Sequence, residues 1–81
     1  MFVITNLKNM SIQRKAIVLL AKRIKRLRVR QGITLEKLAY ENDLSKGNLS
    51  DIENAKRSPS LSSLLKIARG LDCRVKDLFD F

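Results

Sequence analysis

The sequence predicts an all-α, compact five-helix domain with a short N-terminal extension. Three observations carry this reading. Eighty-one residues are enough for one small hydrophobic core. Apolar residues recur at three- and four-residue intervals through most of the chain. Each periodic stretch is preceded by a serine or threonine able to cap a helix, namely Ser11, Thr34, Ser45 and Ser60. After residue 10 no convincing alternating strand pattern occurs.

Residues 1–10 have mixed polarity and read as an N-terminal arm or short strand, leaving residues 11–81 as the folded domain. From Ser11 the pattern is helical, with Ile17, Leu20, Ile24 and Leu27 on one apolar face and Gly32 as the C-terminal stop. Thr34 caps a short second helix over 35–42, with Leu38 and Ala39 on its inner side and Asn42-Asp43 as its breaker. Ser45 caps a third helix over 46–54, whose apolar residues Leu49 and Ile52 stand three apart. Ala55-Lys56-Arg57-Ser58-Pro59 is a basic loop. Ser60 opens a fourth helix containing Leu61, Leu64, Leu65, Ile67, Ala68 and Leu71, closed by Gly70 and Asp72. Val75, Leu78, Phe79 and Phe81 form a last short helix or turn over the core. Tyr40 is expected to pack at a helix edge, and Cys73 to serve as a small core residue.

Composition narrows the function. There is no histidine, and Cys73 is the single cysteine. A His/Cys metal site is therefore excluded, as is a Ser-His or Cys-His nucleophile pair. No catalytic constellation stands out, so the chain is not read as an enzyme, and no cofactor is called for. A lone cysteine fits a reducing cytosol, and no run of about eighteen apolar residues could span a membrane, so a cytoplasmic protein is expected. The net charge is +9, from 17 Lys+Arg against 8 Asp+Glu. Between Arg14 and Arg30 there are eight basic residues and no acidic one. Such a balance suits a polyanionic partner, although a basic excess alone can be a solubility feature.

Residues 35–54 decide between those readings. Two short helices joined by a tight turn place Leu38, Leu44, Leu49 and Ile52 inward, with small Ala39 at the helix crossing. At about 100° per residue, Leu49, Ile52 and Glu53 share the inner side of the third helix. Gly47, Ser50, Asp51 and Asn54 then point outward, with Lys46 at the tip and Asn48 at the edge. That outer face is short and polar, as a surface that reads base edges in a groove about 12 Å wide must be.

Here the chain resembles the Cro and phage-repressor helix-turn-helix family, also called the xenobiotic-response-element type. The resembling pieces are Ile24-Lys25-Arg26-Leu27-Arg28 with Gly32, Thr34-Leu35-Glu36-Lys37-Leu38-Ala39, Leu49-Ser50-Asp51-Ile52-Glu53-Asn54, Arg57-Ser58-Pro59-Ser60-Leu61 and Ala68-Arg69-Gly70-Leu71. In order and spacing they run from about Ala21 to Phe79. The resemblance implies a lambda-repressor-like fold and a sequence-specific transcription regulator that inserts its third helix into the major groove of double-stranded DNA. It implies that Lys46, Gly47, Asn48, Ser50 and Asp51 face the bases, and that Asn54, Lys56 and Arg57 grip phosphates. It also implies a structural ion pair between Arg28 and Glu53. Asp51 could accept from a cytosine amino group or be a solvated residue that repels phosphate.

Three positions depart from the family. Leu35 stands where a phosphate-touching glutamine is usual, and Asp43 stands in place of the turn glycine. Gly47 lies within the recognition helix, either allowing close backbone approach to DNA or standing there neutrally. A homodimer is expected, because one such domain reads few base pairs. Phe2-Val3-Ile4 and Leu78-Phe79-Asp80-Phe81 offer apolar surface for it, unless both ends fold back over their own core. The alternative from another class is an antitoxin-type protein that binds a toxin partner as well as its own promoter.

Overall fold

The computed structural model describes residues 10–81. Apart from Met10, the expected arm over residues 1–10 lies outside the described residues, as does Phe2-Val3-Ile4. The fold consists of α1 (Ile12–Arg30), α2 (Leu35–Glu41), α3 (Lys46–Glu53), α4 (Leu61–Gly70) and a closing 3₁₀ helix, Val75–Phe79. The fifth helix of the sequence reading is thus this single short 3₁₀ segment. Asp77 pins its start by accepting from the Arg74 amide at 2.9 Å. None of the helices among the described residues is long and apolar enough to cross a membrane.

All four α-helices begin the same way. Ser11, Thr34, Ser45 and Ser60 hold extended backbone angles, and each hydroxyl accepts from the amide three residues on. Each bond satisfies one of the donors that a helix start leaves open.

The four ends also share one device. In each, the residue after the cap has a positive φ: Gly32 (70°), Asp43 (57°), Ala55 (58°) and Asp72 (54°). The next amide then reaches back to a carbonyl inside the helix: Ile33 to Arg28, Leu44 to Ala39, Lys56 to Asp51 and Cys73 to Ala68. These are Schellman closures. Only the first uses glycine, and the left-handed conformation costs an ordinary L-residue about 1–2 kcal/mol. Asp43 also places a negative charge at a helix C-terminus, where the macrodipole disfavours it. Asp43→Gly should therefore raise unfolding stability by about 0.5–1 kcal/mol. Urea melts would measure this, and an unchanged or lower midpoint would refute it.

The core joins Leu20 and Ile24 of α1, Leu38 and Ala39 of α2, Leu44, Leu49 and Ile52 around α3, and Leu64, Ile67 and Ala68 of α4, with Leu71 and Leu78. Ile17 and Leu27 lie at its margin, half-buried. Cys73 packs against the cluster without being fully enclosed, and burial raises its thiol above the ordinary range. Tyr40 does not pack at all: it is 87% exposed. Two residues beyond Leu38, it is turned roughly 200° from the inner stripe.

Two boundaries differ from the sequence reading. The second helix stops at Glu41, and Asn42 serves as a buried cap whose amide donates to the Leu38 carbonyl at 2.8 Å. Gly70 does not close α4 as a positive-φ residue, since it is the last helical residue and Leu71 is the cap. Its role is steric. A Cβ there would lie 2.3 Å from Asn42 Nδ2 and 2.4 Å from Leu38 Cδ1, so glycine lets α4 cross α2 closely.

Candidate nucleic-acid interface

The third helix is held from one side only. Leu49 and Ile52 are almost fully buried, and α3 packs on both α2 and α1. The opposite side of this eight-residue helix is left to solvent. Lys46 and Gly47 are exposed, and Asn48, Ser50 and Asp51 are half-buried. The helix itself ends at Glu53, so the expected 46–54 span is one residue shorter, with Asn54 as its cap.

The residues expected to face bases have contacts with neighbours outside that set. Lys46 Nζ lies 2.9 Å from a carboxylate oxygen of Glu36, in an exposed pair between α3 and α2. Lys46 draws the Glu36 carboxyl below its ordinary range, chiefly through that side-chain bond. Asn48 Nδ2 comes only to 3.5 Å of Ser63 Oγ, too far to be held. Gly47 has nothing within 4 Å of where a Cβ would stand. No contact in the free domain therefore requires glycine there. Asp51 Oδ2 meets Arg57 Nη2 at 3.3 Å.

The loop after α3 carries the phosphate-facing candidates. Lys56 and Arg57 are exposed, Arg57 in the pair just described. Asn54 is committed locally, its Nδ2 donating to the Ser50 carbonyl at 2.9 Å and to Ser50 Oγ at 3.3 Å. A phosphate oxygen accepts, so this amide reaches one only by releasing an N–H from Ser50. The loop's direction is set by Ala55, whose positive φ turns the chain off the helix axis.

Among the described residues, a largely buried ion pair lies behind α3. Arg28 Nε donates to Glu53 Oε2 at 2.7 Å and Nη2 to Oε1 at 3.0 Å, a two-pronged pair. The two side chains are 13% and 3% exposed. Arg28 Nη1 also donates to the Ile33 carbonyl at 2.8 Å. The bond to Glu53 is the largest cause raising the Arg28 guanidinium above its ordinary pKa. One guanidinium thus fixes α1, the α1–α2 turn and the C-terminal end of α3 together.

Besides the Asp51–Arg57 pair, sequence reasoning missed three contacts around this surface. Glu36 on Lys46 is one. Arg69 Nε donating to Asn42 Oδ1 at 3.2 Å, which ties α4 to the α2 cap, is the second. The third is a bond from Arg14 Nη1 to the Ala55 carbonyl. The last two join residues 27 and 41 positions apart, so no local pattern announces them. Leu35, standing in place of the family's glutamine, packs against the core.

Residues 24–78 match the helix-turn-helix family model HTH_3. Control protein C.BamHI of Bacillus amyloliquefaciens is 37% identical over 65 residues, covering 79% of this chain and 80% of that protein. An uncharacterized HTH-type transcriptional regulator of Archaeoglobus fulgidus is 37% identical over 59 residues, 73% of this chain and 84% of the other. Among solved structures, the restriction-modification controller protein C.AhdI from Aeromonas hydrophila superposes with a TM-score of 0.75 at 32% identity. That match covers 78% of this chain and 96% of C.AhdI. With the match spanning most of the chain and the four helices and buried pair in place, the chain belongs to the Cro/C1-type helix-turn-helix family of DNA-binding transcription regulators.

Proposed function

We propose that this regulator binds duplex DNA sequence-specifically as a homodimer, each subunit laying α3 in the major groove of one half-site. The observation that carries this reading is the two-sidedness of α3. Its inner side is buried and pinned by the Arg28–Glu53 pair, and its outer side offers Lys46, Gly47, Asn48, Ser50 and Asp51. Asn54, Lys56 and Arg57 then border the groove as phosphate contacts. Leu61, Leu65, Phe79 and Phe81 are each 45–66% exposed, on α4 and at the closing end. The two phenylalanines lean on each other, with ring centroids 6.2 Å apart, while Leu78 between them and the core is fully buried. That surface favours pairing of two copies over a C-terminal end folded back on its own core. Two of the similar proteins are named as control or controller proteins, one of them of restriction-modification, and this chain spans 80% and 96% of their lengths. Control of a restriction-modification system is the setting this supports.

Selection of binding sites from random duplexes tests the reading. The expected product is a two-fold site with half-site centres about 34 Å apart, and sedimentation should give a dimer that Phe81→Ser weakens. A pool with no enriched sequence would overturn specific recognition. A chain that stays monomeric at high micromolar concentration, free and on DNA, would overturn the dimer.

A further inference from the structure

Beyond the stretch 24–78 that matches the family lies the first half of α1, and it reaches the same loop that is proposed to grip DNA. Arg14 donates through Nη1 to the carbonyl of Ala55, the residue that turns the chain from α3 toward Lys56 and Arg57. Gln13 lines one shallow groove together with Ser58 and Pro59 of that loop. The first turns of α1 therefore stand beside residues 55–59. Arg14 is itself exposed, and its other N–H groups meet no partner among the described residues. No acidic residue occurs from Ser11 to Leu35 to neutralise it, and the acids just before the loop are already paired, Asp51 with Arg57 and Glu53 with Arg28.

We infer that Arg14 is a further DNA-backbone contact of this chain, which extends the phosphate grip of Lys56 and Arg57 along the strand by way of the first turns of α1. The inference rests on the DNA-binding reading above. The competing role is purely structural: a cation placed at the C-terminal end of α3, where the helix macrodipole and an open carbonyl attract it. A guanidinium has donors enough for one carbonyl and one phosphate oxygen, so the two roles differ in what salt does to them.

The test is a salt titration of binding to a random-sequence duplex of about 30 base pairs, for the full chain and for Arg14→Gln, Arg14→Lys, Gln13→Glu and Lys56→Ala, with a thermal melt of each. Each phosphate contact contributes about 0.9 to the slope of log affinity against log salt. Arg14→Gln keeps an amide donor without the charge, and should flatten the slope by about that amount per subunit. Its affinity should fall several-fold at low salt and converge on the unaltered chain as salt rises. Arg14→Lys should keep the slope. Gln13→Glu leaves Arg14 untouched and adds an acid that a helix N-terminus favours, so it should weaken binding at low salt without lowering the melt. It keeps the question open to an answer even if Arg14→Gln fails to fold. A full chain that binds no duplex would overturn the DNA-binding reading and this inference together. A full chain that binds and loses slope in Lys56→Ala, but not in Arg14→Gln or Gln13→Glu, would overturn this inference alone.

Discussion

Glu53→Ala is expected to lower the thermal midpoint by roughly 12 °C or more, before any effect on DNA is measured. The carboxylate is 3% exposed and takes two bonds from Arg28. Removing one partner of a buried pair leaves the other charge desolvated, which costs about 3–5 kcal/mol. In a domain of this size each kcal/mol moves the midpoint by about 4–8 °C. An unaided core of some 80 residues holds only about 3–5 kcal/mol in all, so most of the variant should be unfolded near 37 °C. Replacing both partners with apolar side chains, Arg28→Met with Glu53→Leu, should recover more than half of the loss, because nothing is then left uncompensated. A Glu53→Ala melt within about 2 °C of the unaltered protein would show that the pair contributes no more than an exposed one.

The double substitution Lys56→Ala with Arg57→Ala is expected to weaken binding roughly 10–100-fold at about 50 mM salt, on selected and random duplexes alike, and to flatten the salt slope by about two units per subunit. Both residues are exposed at the end of the presented helix. Arg57 must exchange Asp51 for a phosphate to make its contact, at 3.3 Å a loose and partly solvated pair to give up. Asp51→Asn should therefore leave the non-specific slope intact or steepen it. Equal affinities and equal slopes for the double variant would remove both residues from the contact surface. Loss on the selected site with none on random DNA would make them base readers instead.

Much of the scaffold could be read from the chain because its signals are local. A serine or threonine before an apolar period is a statement about one turn, and Ser11, Thr34, Ser45 and Ser60 each cap where expected. The inward placing of Leu49, Ile52 and Glu53 followed from helical rotation alone, and all three are buried. Illegible were features settled by a distant element. Gly70 reads as a helix stop, yet its value lies in the 2.4 Å that would separate an added Cβ from Leu38. Tyr40 was expected to pack because it is large and aromatic, but the rotation that buries Leu38 and Ala39 turns it outward. For the site, the sequence could nominate Lys46 and Asp51 as outward residues. It could not show that Glu36 and Arg57 already hold them.

Ala55 is the best helix former among the amino acids, set where α3 must stop. Nothing in its own chemistry ends the helix there. Its left-handed turn is held by the amide of Lys56 on the Asp51 carbonyl and by the side chain of Arg14, distant in sequence but adjacent in space. A piece of chain holding only the second and third helices would lack the Arg14 bond, and alanine's preference would draw the last turn onward through the loop. The end of α3 is thus a property of the whole fold. Fraying of the first turns of α1 removes one of the two bonds that fix the direction of the loop carrying Lys56 and Arg57. Residues 41 positions apart in sequence are thereby joined, so order at the start of α1 and order in the loop are linked.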